Sequence, residues 1–558
     1  MVDSSVSEPW VLGLAASHNG AACLLQGERI VGAIQEERLT RVKRAPLVPS
    51  RPFRSLHYLL DAAGIEASAI DAVVLCPLHS PDAAHNDLDR HPELCKTPRY
   101  VIPHHYGHAM GAYAQSGFES AMVCVIDAMG SRFADLPRGE QEAVVGLQEE
   151  HKGPTIPGCE ARELVSFYAA EGGALRPLEK HLGGHDVFDP QGDFRPHMMG
   201  FVGLGVMYMS VAQQIFGHWG DSGKLMGLAP FGSANIPRET FWGLEDELFF
   251  FSKELHTRIR HDERWPNHER FYADLAASTQ RALEEGLEHL WMRLKRHPFS
   301  RKLCYAGGVA LNSVANEELI RKAHFDEVFI MPAAADCGTA IGAAYHGFLE
   351  LGGHLRGRAH THDFWGKDYG VGTPSEETLQ AVAKRLCEGD VIAWFQGGSE
   401  FGPRALGHRS ILADPRRPEA RERLNSVVKG REGFRPFAPV VLAEHAARWF
   451  EFGSEKRESP FMLRVVPVRK ERRSQVPSIT HVDGTSRPQT LKREQEATLF
   501  RLLEIFNERS AVPMLLNTSF NVMGEPIVET PQEALELARS RDIDYLVLGE
   551  QLILTKCD

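Results

Sequence analysis

The apolar residues of this 558-residue chain fall in short, strand-sized runs closed by tight, often glycine-containing turns, with helical patterns between them. That alternation restricts the fold to α/β architecture, because strands joined through helices bury a sheet beneath its own connections. Trp10–Ala15, Ala21–Leu25 and Arg29–Gln35 read as β-rich, separated by His18-Asn19-Gly20 and Gln26-Gly27-Glu28, and a helix is expected at about Arg51–Gly64. A second strand run begins at Ala121–Asp127 and resumes at Glu142–Leu147, which implies an internally duplicated unit. Leu283, Leu287, Leu290 and Leu294 recur at helical spacing ahead of strands at Leu303–Ala306 and Val328–Met331 and a small-residue helix at Thr339–Gly347. The stretch Gly352–Thr373 is rich in Gly and His and lacks periodicity, so a domain boundary is expected there. Residues 1–355 then form one domain, and 356–558 a second α/β unit with strands at Val391–Trp394, Val512–Leu516 and Tyr545–Leu548.

Charge excludes some partners. Lys and Arg number 62 against 74 Asp and Glu, a net charge of −12, which argues against broad nucleic-acid or anionic-membrane binding. No apolar run approaches the ~20 residues of a membrane helix. The N-terminus MVDSSVSEPWVLGLAAS lacks a basic segment of the kind that opens an export signal. Nine cysteines without a Cys-x-x-Cys pair read as reduced thiols, and a cytoplasmic protein is expected.

A metal site is the first chemical signal. Pro103-His104-His105-Tyr106-Gly107-His108 opens a helix-like run, and His104 and His108, four apart, share one face, as a common ion requires. A solvated helix end would look the same. The peptidase pattern His-Glu-x-x-His is absent, since His105 follows His104. Asp127 ends one strand and Asp336 follows another, where open α/β sheets collect ligands, although each also suits a helix N-cap. Two His and two Asp suit Fe(II), Mn(II) or Zn(II) with open positions left for substrate.

Two further constellations point to nucleotides and phosphates. Ala306-Gly307-Gly308-Val309-Ala310-Leu311-Asn312 joins a strand to a helix, the place where a backbone approaches a nucleotide, and Gly223-Lys224-Leu225-Met226-Gly227 has the same character without P-loop spacing. Gly307, Gly308, Asn312 and Lys224 are therefore candidate nucleotide contacts in the first domain. In the second, GPRALGHRS carries Arg404 and Arg409, Lys429, Arg431 and Arg435 crowd a loop, and Arg487 sits in a polar loop. Asn517-Thr518-Ser519 adds small polar donors after a strand. Arginine forks and a lysine converging on such donors suit polyphosphate. Arg416, Arg417, Arg421 and Arg423 read instead as a solvated helix.

Taken in order, VLGLAASHNGAACLL, EERLTRVKR, HHYGHA, GKLMGLAPFG, AGGVALN, GPRALGHRS, KGREGFRPFAP and LNTSFN resemble the ATP-dependent O-carbamoyltransferases, which include nodulation-factor, cephem and aminoglycoside carbamoyltransferases. The resemblance runs from about residue 10 to 555. It implies an N-terminal domain similar to tRNA threonylcarbamoyl transferase, on a duplicated, ribonuclease H-like, actin-like ATPase fold. It also implies a C-terminal YrdC-like α/β domain that forms carbamoyl adenylate from carbamoyl phosphate and ATP, with Mg(II) accompanying the nucleotide. The carbamoyl group would pass to a hydroxyl of a small-molecule acceptor. By matching positions, His104, His108, Asp127 and Asp336 would be metal ligands, with Fe(II) expected, and His18 and Lys43 would belong to the transfer site. Arg404, Lys429, Arg435, Arg487 and Ser519, with Asn517 beside them, would serve adenylation. His18 is the expected general base, and Lys43 would hold a phosphate or the oxyanion.

The sequence departs from the family at Ala128, where Gly often follows the first metal aspartate, and at Gln396–Glu400, which lacks an Arg that often precedes GPRALG. Two rivals are a tRNA threonylcarbamoyl transferase, which the acidic charge disfavours, and a non-catalytic nucleotide-binding protein of the actin-like fold, which needs neither the metal residues nor a second cationic pocket. The acceptor is left open: His181–Trp219, rich in His, Phe, Met and Gly, reads equally as an apolar acceptor pocket or as core and loop. A homo-oligomer is left open as well.

Overall fold

A computed structural model of the chain describes residues 8–78, 80–145, 161–183, 203–252, 264–357, 359–453 and 456–555. Residues 184–202, about half of the expected acceptor stretch, and the end of the Glu142–Leu147 run lie outside the described residues.

The first sheet has the spatial order Arg29–Gln35, Ala21–Gln26, Trp10–Ala16, Ala72–Pro77, Arg99–Val101. Its first three strands are antiparallel and the last two run parallel to the central Trp10–Ala16. The second sheet repeats that plan with Ala174–Gly183, Arg162–Glu171, Ser120–Ile126, Lys302–Ala306 and Glu327–Ile330. The implied duplication is therefore visible in topology: two ribonuclease H-like units stand side by side, as in the actin-like ATPase class. At the far edge the structure differs from expectation. A short helix, Arg138–Glu142, precedes the two-residue strand Val144–Val145, and the long hairpin Arg162–Glu171/Ala174–Gly183 supplies the strands of the second unit.

Each unit sends a helix out of its last parallel strand. His104–Ser116 follows Arg99–Val101, and Thr339–Glu350 follows Glu327–Ile330 after the turn Asp336–Gly338. Small residues let the two helices approach to backbone contact: a Cβ on Gly342 would overlap the Gly107 carbonyl. The second helix also lies on the first sheet, where a Cβ on Gly13 would collide with the Ala340 carbonyl and the Ala344 amide. This close approach brings the starts of both helices to one point at the strand ends, where α/β sheets hold ligands.

In the C-terminal half a seven-stranded mixed sheet has the order Gln489–Leu491, Ala438–Leu442, Met514–Ser519, Arg409–Ala413, Ile392–Phe395, Tyr545–Leu548, Gln551–Leu554, with its own core around Trp394, Phe395, Leu503 and Phe506. Polar side chains from the short helix Glu36–Thr40 and its cap, directly after the edge strand Arg29–Gln35, connect to this half. Buried Arg38 donates to the carbonyls of Glu400 (3.2 Å) and Gly402 (3.3 Å), and Arg41 to those of Ile527 (2.7 Å) and Pro526 (2.9 Å). Among the described residues no helix is long and apolar enough to cross a membrane.

Candidate functional site

His104 and His108 sit one turn apart at the start of their helix, both fully buried. Asp127 follows the strand Ser120–Ile126, and Asp336 begins the turn ahead of the Thr339–Glu350 helix. Ligand atoms of these four side chains all lie within 4.8 Å of one another. His108 Nε2 is 3.3 Å and His104 Nε2 3.5 Å from Asp127 Oδ2, and His104 Nε2 is 3.7 Å from Asp336 Oδ1. The backbone orients Asp127, whose Oδ1 accepts from Ala128 N (2.7 Å) and Gly308 N (3.3 Å), leaving Oδ2 turned to the imidazoles.

The donor set fits a divalent cation. Both ring nitrogens of His104 and of His108, with Oδ2 of Asp127 and of Asp336, are buried without a hydrogen-bond partner. Buried polar atoms normally find partners, and a cation would satisfy several of these at once. The electrostatics agree. Burial would raise the Asp336 carboxyl, but His18 and His104 overcome it and hold it at about 2. Burial likewise opposes ionisation of Asp127, yet the two imidazoles pull it well below the usual carboxylate range.

His18 lies beside the quartet, with Nδ1 3.3 Å from Asp336 Oδ2 and its ring edge-on to Trp219 at 5.1 Å. Lys43 points to a different wall, its Nζ 2.9 Å from Glu37 Oε1. Of the glycine-turn residues, Gly308 supports Asp127 as above. Gly307 has φ 90° and approaches the Ile126 carbonyl so closely that no Cβ fits. Asn312 caps the Ser313–Arg321 helix through Ala315 N (3.1 Å) and exchanges hydrogen bonds with Gln280.

The cations around the seven-stranded sheet face a cavity of about 1170 Å³ whose walls come from both halves of the chain. Arg404, Lys429, Arg435, Arg487, Asn517 and Ser519 line it, together with Lys43, Trp219 and Lys224 from the first half of the chain. Lys224 thus shares the cavity with the arginines around the seven-stranded sheet, paired with Glu432 (2.9 Å) and Asp221 (3.2 Å). Lys429 Nζ is cradled by the Ser519 carbonyl, Asn521 O (2.9 Å) and Asn521 Oδ1 (3.0 Å). Asn517, which lines the cavity, donates to Gln489 Oε1 (2.9 Å). Burial, reinforced by neighbouring arginines, pushes Arg404 down to about 10, Arg431 to about 9, and Lys429 and Arg487 well below their ordinary values. A bound anion would relieve cations crowded in this way. Arg409 is built differently: it stacks on Phe395 at 3.5 Å and donates to the Gln396 and Gly397 carbonyls.

The sequence reading passed over Arg44, which shares the cavity with its guanidinium 4.8 Å from the Trp219 ring, and Glu400, whose Oε1 accepts from the amides of Leu406, Gly407, His408 and Arg409 and shapes the Arg404 turn. EERLTRVKR held the only sequence signal for Arg44; Glu400 had none.

Residues 82–345 match the family model described as Carbamoyltransferase N-terminus, and residues 383–555 match Carbamoyltransferase C-terminus. Nodulation protein NolNO of Sinorhizobium fredii is 34% identical over 96% of this chain and 79% of its own length. The 3'-hydroxymethylcephem-O-carbamoyltransferase of Streptomyces clavuligerus is 32% identical over 59% of this chain and 64% of its own. Among solved structures, full-length HypF in a phosphate- and nucleotide-bound form aligns with a TM-score of 0.40 at 13% identity, covering 62% of this chain and 56% of that one. With both terminal models matched in order and a relative 34% identical over 96% of this chain, the chain belongs to the carbamoyltransferase family and is a transferase enzyme.

Proposed function

We propose that this enzyme is an ATP-dependent O-carbamoyltransferase with two stations, 1–355 and 356–558. In the second, water releases phosphate from carbamoyl phosphate to leave carbamate, whose oxygen attacks the α-phosphate of ATP and yields carbamoyl adenylate with release of pyrophosphate. In the first, a small-molecule hydroxyl takes the carbamoyl group and AMP departs. The observation that carries this reading is the shared cavity, in which a crowd of under-neutralised cations opens toward Lys43 and toward Trp219, the ring against which His18 packs.

Both substrates are polyanions, and bringing them together costs Coulomb energy that Arg404, Lys429, Arg435 and Arg487 offset. Ser519 and Asn521 fix the Lys429 ammonium, so its charge is preorganised where pyrophosphate leaves. A mixed anhydride is labile in water, and a cavity walled by both halves shields it. At the transfer station His18 accepts the proton of the acceptor hydroxyl, while Lys43 holds the phosphate or the developing oxyanion. A divalent cation held by His104, His108, Asp127 and Asp336, with Fe(II) the expected ion, would supply Lewis-acid polarisation there.

Incubation with ATP, carbamoyl phosphate and a panel of hydroxylated natural products tests the proposal. The expected result is a carbamoyl mass increment on an acceptor that requires both co-substrates. If neither pyrophosphate nor a carbamoylated product forms, the proposal fails.

A further inference from the structure

Glu163 joins the two chain segments that carry three of the four candidate ligands. It lies on the Arg162–Glu171 strand, fully buried. Its Oε2 accepts from Ser131 N (2.9 Å) and His105 N (3.3 Å), and Ser131 Oγ in turn accepts from His104 N (2.9 Å). The amides of His104 and His105 are free donors of the first helical turn, and these contacts supply their acceptors. The same strand holds the Asp127 segment by its backbone: Asp127 N donates to Leu164 O (3.1 Å), and Gly130 N to Glu163 O (2.8 Å). No Cβ fits at Gly130 between Glu163 and His105, so the helix start and the Asp127 loop are held against each other through this one residue.

On the neighbouring strand fully buried Lys180 closes the arrangement. Its ammonium pairs with Glu163 Oε1 and with Glu140 Oε2 (2.6 Å), and hydrogen-bonds Ser166 Oγ and Tyr168 OH, each at 2.9 Å. Burial would raise the Glu163 carboxyl, but Lys180 overcomes it and the group is held at about 2. A buried ion pair is a poor source of stability compared with packed hydrocarbon. Here the pair does something hydrocarbon cannot, since it presents a fixed acceptor to the backbone directly behind His104 and His108.

We propose that Glu163, locked by Lys180, is a positioning residue that sets the His104–His108–Asp127 side of the cation site; the inference rests on the reading of that quartet as a cation site. Outer partners of metal ligands commonly control affinity by about 10–100-fold.

The test loads the full-length protein with Co(II) under anaerobic conditions, and measures affinity by chelator competition and ligand geometry from the Co(II) visible absorption. Glu163→Gln and Ser131→Ala are each expected to weaken Co(II) by about 10–100-fold and to change the visible bands, with pyrophosphate release from ATP and carbamoyl phosphate unaltered. Ser131→Ala deletes one hydroxyl and no charge, so it carries the test if Glu163→Gln fails to fold. Co(II) bound by wild type and by folded variants with equal affinity and identical bands overturns this inference alone. A wild-type protein that does not take up Co(II) overturns the quartet reading and this inference with it.

Discussion

His18 Nδ1 stands 3.3 Å from Asp336 Oδ2, so the proposed base is tied to one of the four candidate ligands, whereas Arg404, Lys429, Arg435 and Arg487 line the large cavity. The two half-reactions therefore separate genetically. His18→Ala is expected to lower carbamoyl transfer by about 10²–10⁴-fold, the usual contribution of a general base. Pyrophosphate release from ATP and carbamoyl phosphate should persist. Coupled pyrophosphate detection beside mass spectrometry of the acceptor reads both, and loss of both steps in a folded variant would reject the role given to His18.

The crowded cations make a stability prediction. Arg487 is pushed well below its ordinary value by burial first and then by Arg404, Arg431 and Arg435. For a base whose folded pKa is depressed, the native state at neutral pH carries a charge it would rather lose, and a bound anion removes that penalty. Pyrophosphate should therefore raise the Tm of the wild-type protein, by the equivalent of about 2.7 kcal/mol at a hundred times Kd. Arg487→Met should raise the Tm without ligand and abolish the pyrophosphate increment. Differential scanning calorimetry decides it; a wild-type Tm indifferent to pyrophosphate would remove the polyanion assignment.

The fold and the quartet were legible in the sequence for different reasons. His104 and His108 were readable because i, i+4 spacing is a local property, and Asp127 and Asp336 because strand ends are marked by small residues that follow them. The Arg162–Glu171/Ala174–Gly183 hairpin was missed although Gly172-Gly173 marks its turn, because the expected strand at Glu142–Leu147 occupied its place in the scheme. Glu163 and Lys180 were illegible in principle. Their pairing depends on an antiparallel register with irregularities at Glu163/Val165 and Phe167/Tyr168, which no local pattern encodes. Lys224 was assigned to the first domain by its place in the chain, and only three-dimensional closure sets it opposite Glu432.

Helix contact at Gly342 makes the site sensitive to one methyl group. A Cβ there overlaps the Gly107 carbonyl, one residue from His108, so the two helices must separate. Gly342→Ala is expected to cost about 1–3 kcal/mol and to impair transfer more than pyrophosphate release. Gly139→Ala, where a Cβ meets nothing within 4 Å, should stay within about 0.5 kcal/mol of wild type. Urea unfolding of both variants checks the pair, and equal stability would show that the helices relax at no cost.

Glu284 borders the large cavity and gives a prediction in pH. Burial is the main cause that raises its carboxyl from 4.5 to about 6; Glu318 and Glu285 add to it, while the Gln280 hydrogen bond and Lys322 oppose it. The folded pKa of this acid lies above its unfolded value, so between about 4.5 and 6 the native state binds more protons than the unfolded one. Stability from this group therefore falls as pH rises through that window and stays low above it. Glutamine keeps the acceptor for Gln280 Nε2, 2.8 Å away, and removes the charge. Glu284→Gln should thus gain on wild type between pH 5 and pH 7.5, reaching about 1–2 kcal/mol at the upper end. Urea unfolding at both pH values measures it, and a stability difference that did not change with pH would mean that Glu284 ionises in the folded protein as freely as in the unfolded chain.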